Sequence, residues 1–123
     1  MKILVTDDSK MARKMVIKIL NDVLNENVEV FEGQNGQEAF DLYKEHLPEI
    51  VFLDLTMPVM NGFEALSKIK EFDKNAKVVI ISADIQKLSM DKALQLGAFN
   101  FIKKPIDLEK MQQILGKINE FDK

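Results

Sequence analysis

Five short apolar runs, each followed by a stretch of polar and apolar residues with helical spacing, constrain this chain more than any other feature. Ile3-Leu4-Val5, Val28 to Phe31, Ile50 to Leu53, Val78 to Ile81 and Phe99 to Ile102 are rich in β-branched and aromatic residues and read as strands. Ala12, Met15, Val16, Ile19, Leu20, Val23 and Leu24 follow the i, i+3, i+4, i+7 rule of an amphipathic helix. Ala39, Phe40, Tyr43 and Leu47 give a shorter helix, and Leu108, Met111, Leu115 and Ile118 give the last one. Asp8 or Ser9 can cap the first helix, Asn61 the third and Asp107 the fifth, while Gly97 falls where the fourth should end.

Strands that are continuously apolar, rather than alternating, belong to a sheet covered on both faces. Five such strand–helix units with short connections specify a doubly wound five-stranded parallel α/β domain with five helices. At 123 residues, 46% hydrophobic and 30% charged, the chain reads as one globular domain, 1–123, with no output domain. Right-handed crossovers put helices on both faces and leave the carboxyl ends of the strands for a site.

The absence of cysteine excludes disulfides and thiolate chemistry and suits a reducing compartment. The opening MKILVTDD meets two acids by residue 8, too early for a signal peptide, and no run approaches a membrane span. The expected location is cytoplasmic. A net charge of −3 without a basic stripe argues against nucleic-acid binding.

The polar residues then fall at one edge. Asp7 and Asp8 follow the first strand, Asp54 ends the third, Ser82 the fourth and Lys104 the fifth. Converging carboxylates repel, and a hard divalent cation with oxygen ligands, magnesium above all, is the natural remedy. A carboxylate beside such a cation can attack phosphorus and carry a phosphoryl group as an acyl phosphate. Lys104 can offset the phosphoryl charge and the Ser82 hydroxyl can donate to a phosphoryl oxygen. Singly, each residue has a plainer reading: Asp7-Asp8 as a helix cap, Ser82 as a turn residue, Lys104 as a surface lysine. His46 reads as a solvated residue at the far end of the second helix. The methionines (Met11, Met15, Met57, Met60, Met90, Met111) read as core filler, with an adaptable binding surface as the alternative.

The motifs "LVTDDS" at 4–9, "FLDLTMPVMNG" at 52–62, "VIISA" at 79–83 and "FIKKPIDLEKM" at 101–111 carry a family likeness. In this order and spacing the chain resembles the receiver domain of two-component response regulators, in particular single-domain CheY-like proteins. The resemblance implies a flavodoxin/CheY-like strand order of 2-1-3-4-5. It implies that Asp54 is the phosphoacceptor, with Mg2+ or Mn2+ held directly by Asp8, through water by Asp7, and by Asp54 and the Thr56 backbone carbonyl. Ser82, with the small Ala83 beside it, and Lys104 would contact the phosphoryl group. Lys104 would pair with Asp54 before phosphorylation, and Phe101 holds the aromatic switch position. The Lys104–Pro105 bond would be cis, and Thr56 and Asp84 would tune phosphoryl lifetime. Ile106 stands where Phe is frequent, and Phe101 where Tyr is common in chemotaxis receivers.

Such a protein is a switch and not a turnover enzyme, beyond its own phosphorylation and dephosphorylation. A histidine kinase would be the phosphodonor. The fourth helix, fifth strand and fifth helix would present the output face to a motor switch, a kinase or a phosphotransfer protein, either in chemotaxis or within a phosphorelay. The expected state is a monomer or a phosphorylation-dependent dimer. Two rivals share the fold. A haloacid-dehalogenase-like phosphohydrolase wants an acid where Thr56 stands, and a flavodoxin-like flavin carrier wants a Gly- and hydroxyl-rich loop where "DDSKMA" stands.

Overall fold

The continuously apolar runs sit where both faces of one sheet are covered. The computed structural model describes residues 1–24, 28–83 and 86–121, with side chains to residue 118. Its elements run β1 (Lys2–Thr6), α1 (Lys10–Val23), β2 (Glu29–Gly33), α2 (Gly36–His46), β3 (Ile50–Asp54), α3 (Gly62–Phe72), β4 (Val78–Ser82), α4 (Lys87–Gln95), β5 (Asn100–Lys103) and α5 (Leu108–Phe121). The strands are all parallel, in the order β2-β1-β3-β4-β5. Every residue of β3 and β4 is buried. Edge strand β2 is less covered: Glu29 and Glu32 are exposed, Val30 and Phe31 half-buried and only Gly33 buried.

Side-chain alternation along the strands divides the core in two. Leu4, Val51, Leu53, Val78 and Ile80 face a layer containing Ala39, Tyr43, Leu66 and Ile69 from α2 and α3, and Ala93 from α4. Ile3, Val5, Phe52, Val79 and Ile81 face Val16 and Leu20 of α1 and Met111, Ile114 and Ile118 of α5. Burying each large aliphatic side chain contributes about 1.5–3 kcal/mol, so this two-sided core fixes the sheet and hence its carboxyl edge.

Helix starts follow from side-chain caps. Ser9 Oγ accepts from the Ala12 N–H, Asn35 Oδ1 from Glu38, Asn61 Oδ1 from Glu64 and Asp107 Oδ1 from Lys110. Of the two candidates for α1, Ser9 is the cap. Gly97, at φ +101°, turns the chain out of α4 in a conformation that L side chains rarely adopt.

Two expectations need correcting. His46 is not a solvated residue: its ring stacks on Phe31 with centroids 3.8 Å apart. The end of α2 reaches edge strand β2, and the imidazole covers the Phe31 ring there. The methionines divide. Met57, Met60 and Met111 are buried, whereas Met11 and Met15 are 74% and 48% exposed and Met90 is exposed too. At 100° per residue, Met11 and Met15 lie off the Arg13–Val16–Leu20 stripe that α1 turns inward. Among the described residues no helix is long and apolar enough to cross a membrane.

Candidate functional site

The parallel sheet delivers the acids to one edge. Asp54 is the last residue of β3 and is 6% exposed; Asp7, directly after β1, is equally buried, and Asp8 is exposed. One carboxylate oxygen from each of Asp7, Asp8 and Asp54 can be chosen so that all lie within 4.8 Å of one another. Three oxygen donors with no histidine or cysteine match a small, hard cation.

Asp7 is fixed on every side. Its Oδ1 accepts from the Ser9 N–H at 2.9 Å, and its Oδ2 accepts from Lys104 Nζ at 2.7 Å. Its N–H donates to the Gly33 carbonyl, and its own carbonyl accepts from Arg13 Nη1 at 2.8 Å. Lys104 reaches both acids, lying 3.4 Å from Asp54 Oδ1. The pairing with Asp54 that the resemblance implies is present, and Asp7 is a second partner. The shorter bond is to Asp7, because the long lysine side chain, leaving the turn after β5, spans the edge as far as β1.

Electrostatics follow from this arrangement. Burial, then the charge of Asp7, push the Asp54 carboxyl up to about 6 from its ordinary 3.8, with a further push from Asp8, while the Lys104 charge and hydrogen bond oppose them. Burial disfavours the Lys104 ammonium, but the hydrogen bond to Asp7 and the charges of Asp54 and Asp7 outweigh it and raise its pKa. The lysine thus stays charged while Asp54 is kept less acidic than a surface aspartate.

The remaining expected residues fall around this centre. Ser82, last in β4, is buried, and its carbonyl accepts from the Lys104 N–H at 2.9 Å, which ties the β4 end to the β5–α5 turn. Ala83 and Thr56 are exposed on neighbouring loops. Phe101, on β5, packs partly buried against the α2–α3–α4 layer. The Lys104–Pro105 peptide bond is cis. Asp84 lies outside the described residues.

The β3–α3 loop is clamped at both ends. The Gly62 N–H donates to the Leu55 carbonyl, and a Cβ at Gly62 would stand 2.3 Å from the Asp54 carbonyl oxygen. The Gly36 N–H donates to the Met60 carbonyl, which a Cβ at Gly36 would meet at 2.2 Å. Between the clamps Val59 sits at φ +68°, an outlier for a β-branched residue, with its side chain 83% exposed.

Arg13 was not singled out from the sequence. It is 7% exposed, and besides holding the Asp7 carbonyl its Nε lies 3.0 Å from Glu32 Oε1. A signal was present: Arg13 stands three residues before Val16 and seven before Leu20, on the buried stripe of α1. A charge in an apolar stripe implies a partner.

A 2-1-3-4-5 sheet with an acid cluster and a lysine at its carboxyl edge defines a class of domain, one built around a strand-end carboxylate. The response regulator receiver domain matches residues 3–116. The chemotaxis protein CheY of Bacillus subtilis is 39% identical over 116 residues, covering 94% of this chain and 95% of that protein. The CheY of Treponema pallidum is 42% identical, covering 95% of this chain and 81% of that one. Among solved structures, the CheX–CheY–BeF3–Mg+2 complex from Borrelia burgdorferi contains a chain that matches at a TM-score of 0.88 and 38% identity, covering 95% of this chain and 87% of that chain. The chain belongs to the response regulator receiver domain family of two-component systems, and it is CheY-like.

Proposed function

We propose that the protein is a phosphorylation-activated signalling switch with Asp54 as phosphoacceptor. One observation carries this reading: a buried strand-end carboxyl, shifted up to about 6, with an ammonium 3.4 Å away and two further acids beside it. Near neutral pH such a carboxyl is ionised yet poorly solvated, which suits a nucleophile. One Asp54 oxygen attacks the phosphorus of a histidine kinase phosphohistidine, or of a small acyl phosphate. The new O–P bond forms as the bond to the donor breaks, and the electron pair leaves with the donor.

The acids fit a divalent cation, Mg2+ or Mn2+, in distinct ways. Asp8 is exposed and would ligate directly. Both carboxylate oxygens of Asp7 already accept hydrogen bonds, so it would act through water. Asp54 and the Thr56 carbonyl complete the set. The bound cation would supply charge compensation for the phosphoryl oxygens. Lys104 adds its own charge, and Ser82 turns its hydroxyl toward the new group, with Ala83 leaving room. Phe101 then rotates into the space Ser82 vacates, and the α4–β5–α5 face changes its affinity for a partner. Thr56 and Asp84 flank the group and tune its hydrolysis.

The names of the CheY relatives favour chemotaxis as the pathway, with a motor switch, a kinase or a phosphotransfer protein reading the output. A cytoplasmic location and the absence of sustained turnover on other substrates belong to the same reading. Beryllofluoride with Mg2+ tests it: amide NMR shifts centred on Ser82, Phe101 and α4–β5–α5 are expected. Shifts confined to Asp7, Asp8 and Asp54 would refute the switch.

A further inference from the structure

Beside the acid cluster lies a concavity that shares Asp7, Asp54 and Lys104 with it and whose apolar side the phosphoryl chemistry does not use. A cavity of about 300 Å³ opens between α1 and the β5–α5 turn, walled by Ala12, Val16, Phe52, Ile81 and Ile106. Phe52, Ile81, Ile106 and Val16 are 1–7% exposed and form its buried floor, so the apolar surface a ligand could touch comes from Ala12, Met15 and Pro105. Its origin is local. Ala12 gives α1 only a methyl group there, and the residue after Pro105 is an aliphatic Ile106. Met15, half-exposed and flexible, also lines the cavity.

Apolar walls offer water no partners, and an apolar cavity half this size holds benzene. This cavity therefore has room for a bicyclic ring. Its polar lining comes from Asp7, Asp54, Lys104 and the Thr6 position. The Lys104 ammonium is already paired to the two carboxylates, which retain lone pairs that can accept a further hydrogen bond. The adjoining acids repel a carboxylate or phosphate, and the walls would strip the hydration from a full positive charge at high cost. The complementary occupant is neutral and flat, with one donor.

We propose that this cavity binds a small neutral aromatic molecule carrying a single ring N–H or O–H donor, of the indole class. The donor bonds to a strand-end carboxylate, and the ring lies between Ala12 and Met15 of α1 and Pro105, above the Ile106 floor. Because the donor engages the nucleophilic edge and the ring abuts Pro105, occupancy slows phosphorylation of Asp54; this consequence rests on the function proposed above.

The test titrates indole into the EDTA-treated protein and follows methyl NMR signals of Met15, Ile81 and Ile106, with benzoate as the anionic control. Saturable shifts with indole and none with benzoate are expected. Ile106→Phe and Ala12→Leu fill the cavity from opposite sides, and either should weaken binding by about tenfold, equivalent to about 1.4 kcal/mol. Absence of saturable shifts, or wild-type affinity in both variants, overturns the site. Labelling by acetyl phosphate should slow by about fivefold at saturating indole in wild type and stay unchanged in Ile106→Phe. Binding without slowing overturns the regulatory half. A wild type that is never labelled counts against the phosphoacceptor reading and leaves the binding result standing.

Discussion

Replacing Asp54 by Asn should stabilise the metal-free protein above neutral pH and do nothing to its stability in acid. The folded Asp54 carboxyl has a pKa of about 6 against an ordinary 3.8. The fold therefore favours the protonated form, and the carboxylate costs stability once it ionises. Below about pH 3 both folded and unfolded chains hold the proton and the cost is absent. Between about pH 3 and 6 the unfolded chain releases it first and the cost grows; above about pH 7 it is complete. A gap of about two pK units corresponds to about 3 kcal/mol as a ceiling. Solvent at the open sheet edge screens the exposed Asp8 charge and reaches part of the Asp54 carboxyl, so a gain of about 1–2 kcal/mol for Asp54→Asn is expected. Urea denaturation of both proteins in EDTA at pH 7.5 and at about pH 3 measures it. The stability difference should be present at pH 7.5 and nearly vanish at about pH 3. Millimolar Mg2+ should then stabilise wild type by mass action, about 2.7 kcal/mol at a hundredfold excess over Kd, and erase the variant's advantage. An Asp54→Asn protein less stable than wild type at pH 7.5 in EDTA would refute the account of the site's electrostatics.

Other substitutions probe the scaffold around the acids. Arg13→Gln removes a buried guanidinium from Glu32 and the Asp7 carbonyl; a loss of about 2–4 kcal/mol by urea denaturation, with weaker Mg2+ binding by fluorescence or calorimetry, is expected. The Thr6 hydroxyl is buried and has no hydrogen-bond partner, so the near-isosteric Thr6→Val should be neutral or stabilising by about 1 kcal/mol in thermal unfolding. Val59→Asn, which tolerates φ +68° better, should stabilise by about 1 kcal/mol; a loss of stability would show that the loop does not carry the strain its backbone suggests.

The architecture was legible because its information is local. Apolar runs, helical spacing and the Ser9, Asn61, Asp107 and Gly97 boundary signals each involve neighbours in the chain, and parallel topology then sends Asp7, Asp8, Asp54, Ser82 and Lys104 to one edge. What escaped depends on distant partners. His46 meets Phe31 only after α2 docks beside β2, and Arg13 finds Glu32 across the β1–α1–β2 unit. Whether Lys104 sits nearer Asp7 or Asp54 is decided by where a long side chain comes to rest between two acids 47 residues apart in sequence. Met11 and Met15 have the composition of core residues, but their helical angle takes them off the buried stripe. Val59's left-handed backbone carries no residue signature, since valine is among the residues least suited to it.

The central claim is that Asp54 is the residue that accepts the phosphoryl group. Intact-protein mass spectrometry after incubation with acetyl phosphate and Mg2+ tests it most directly, with Asp54→Asn and an EDTA-treated sample alongside. The account predicts one added phosphoryl group on wild type, lost in the variant and in EDTA. A phosphoryl increment of equal stoichiometry on Asp54→Asn would contradict it.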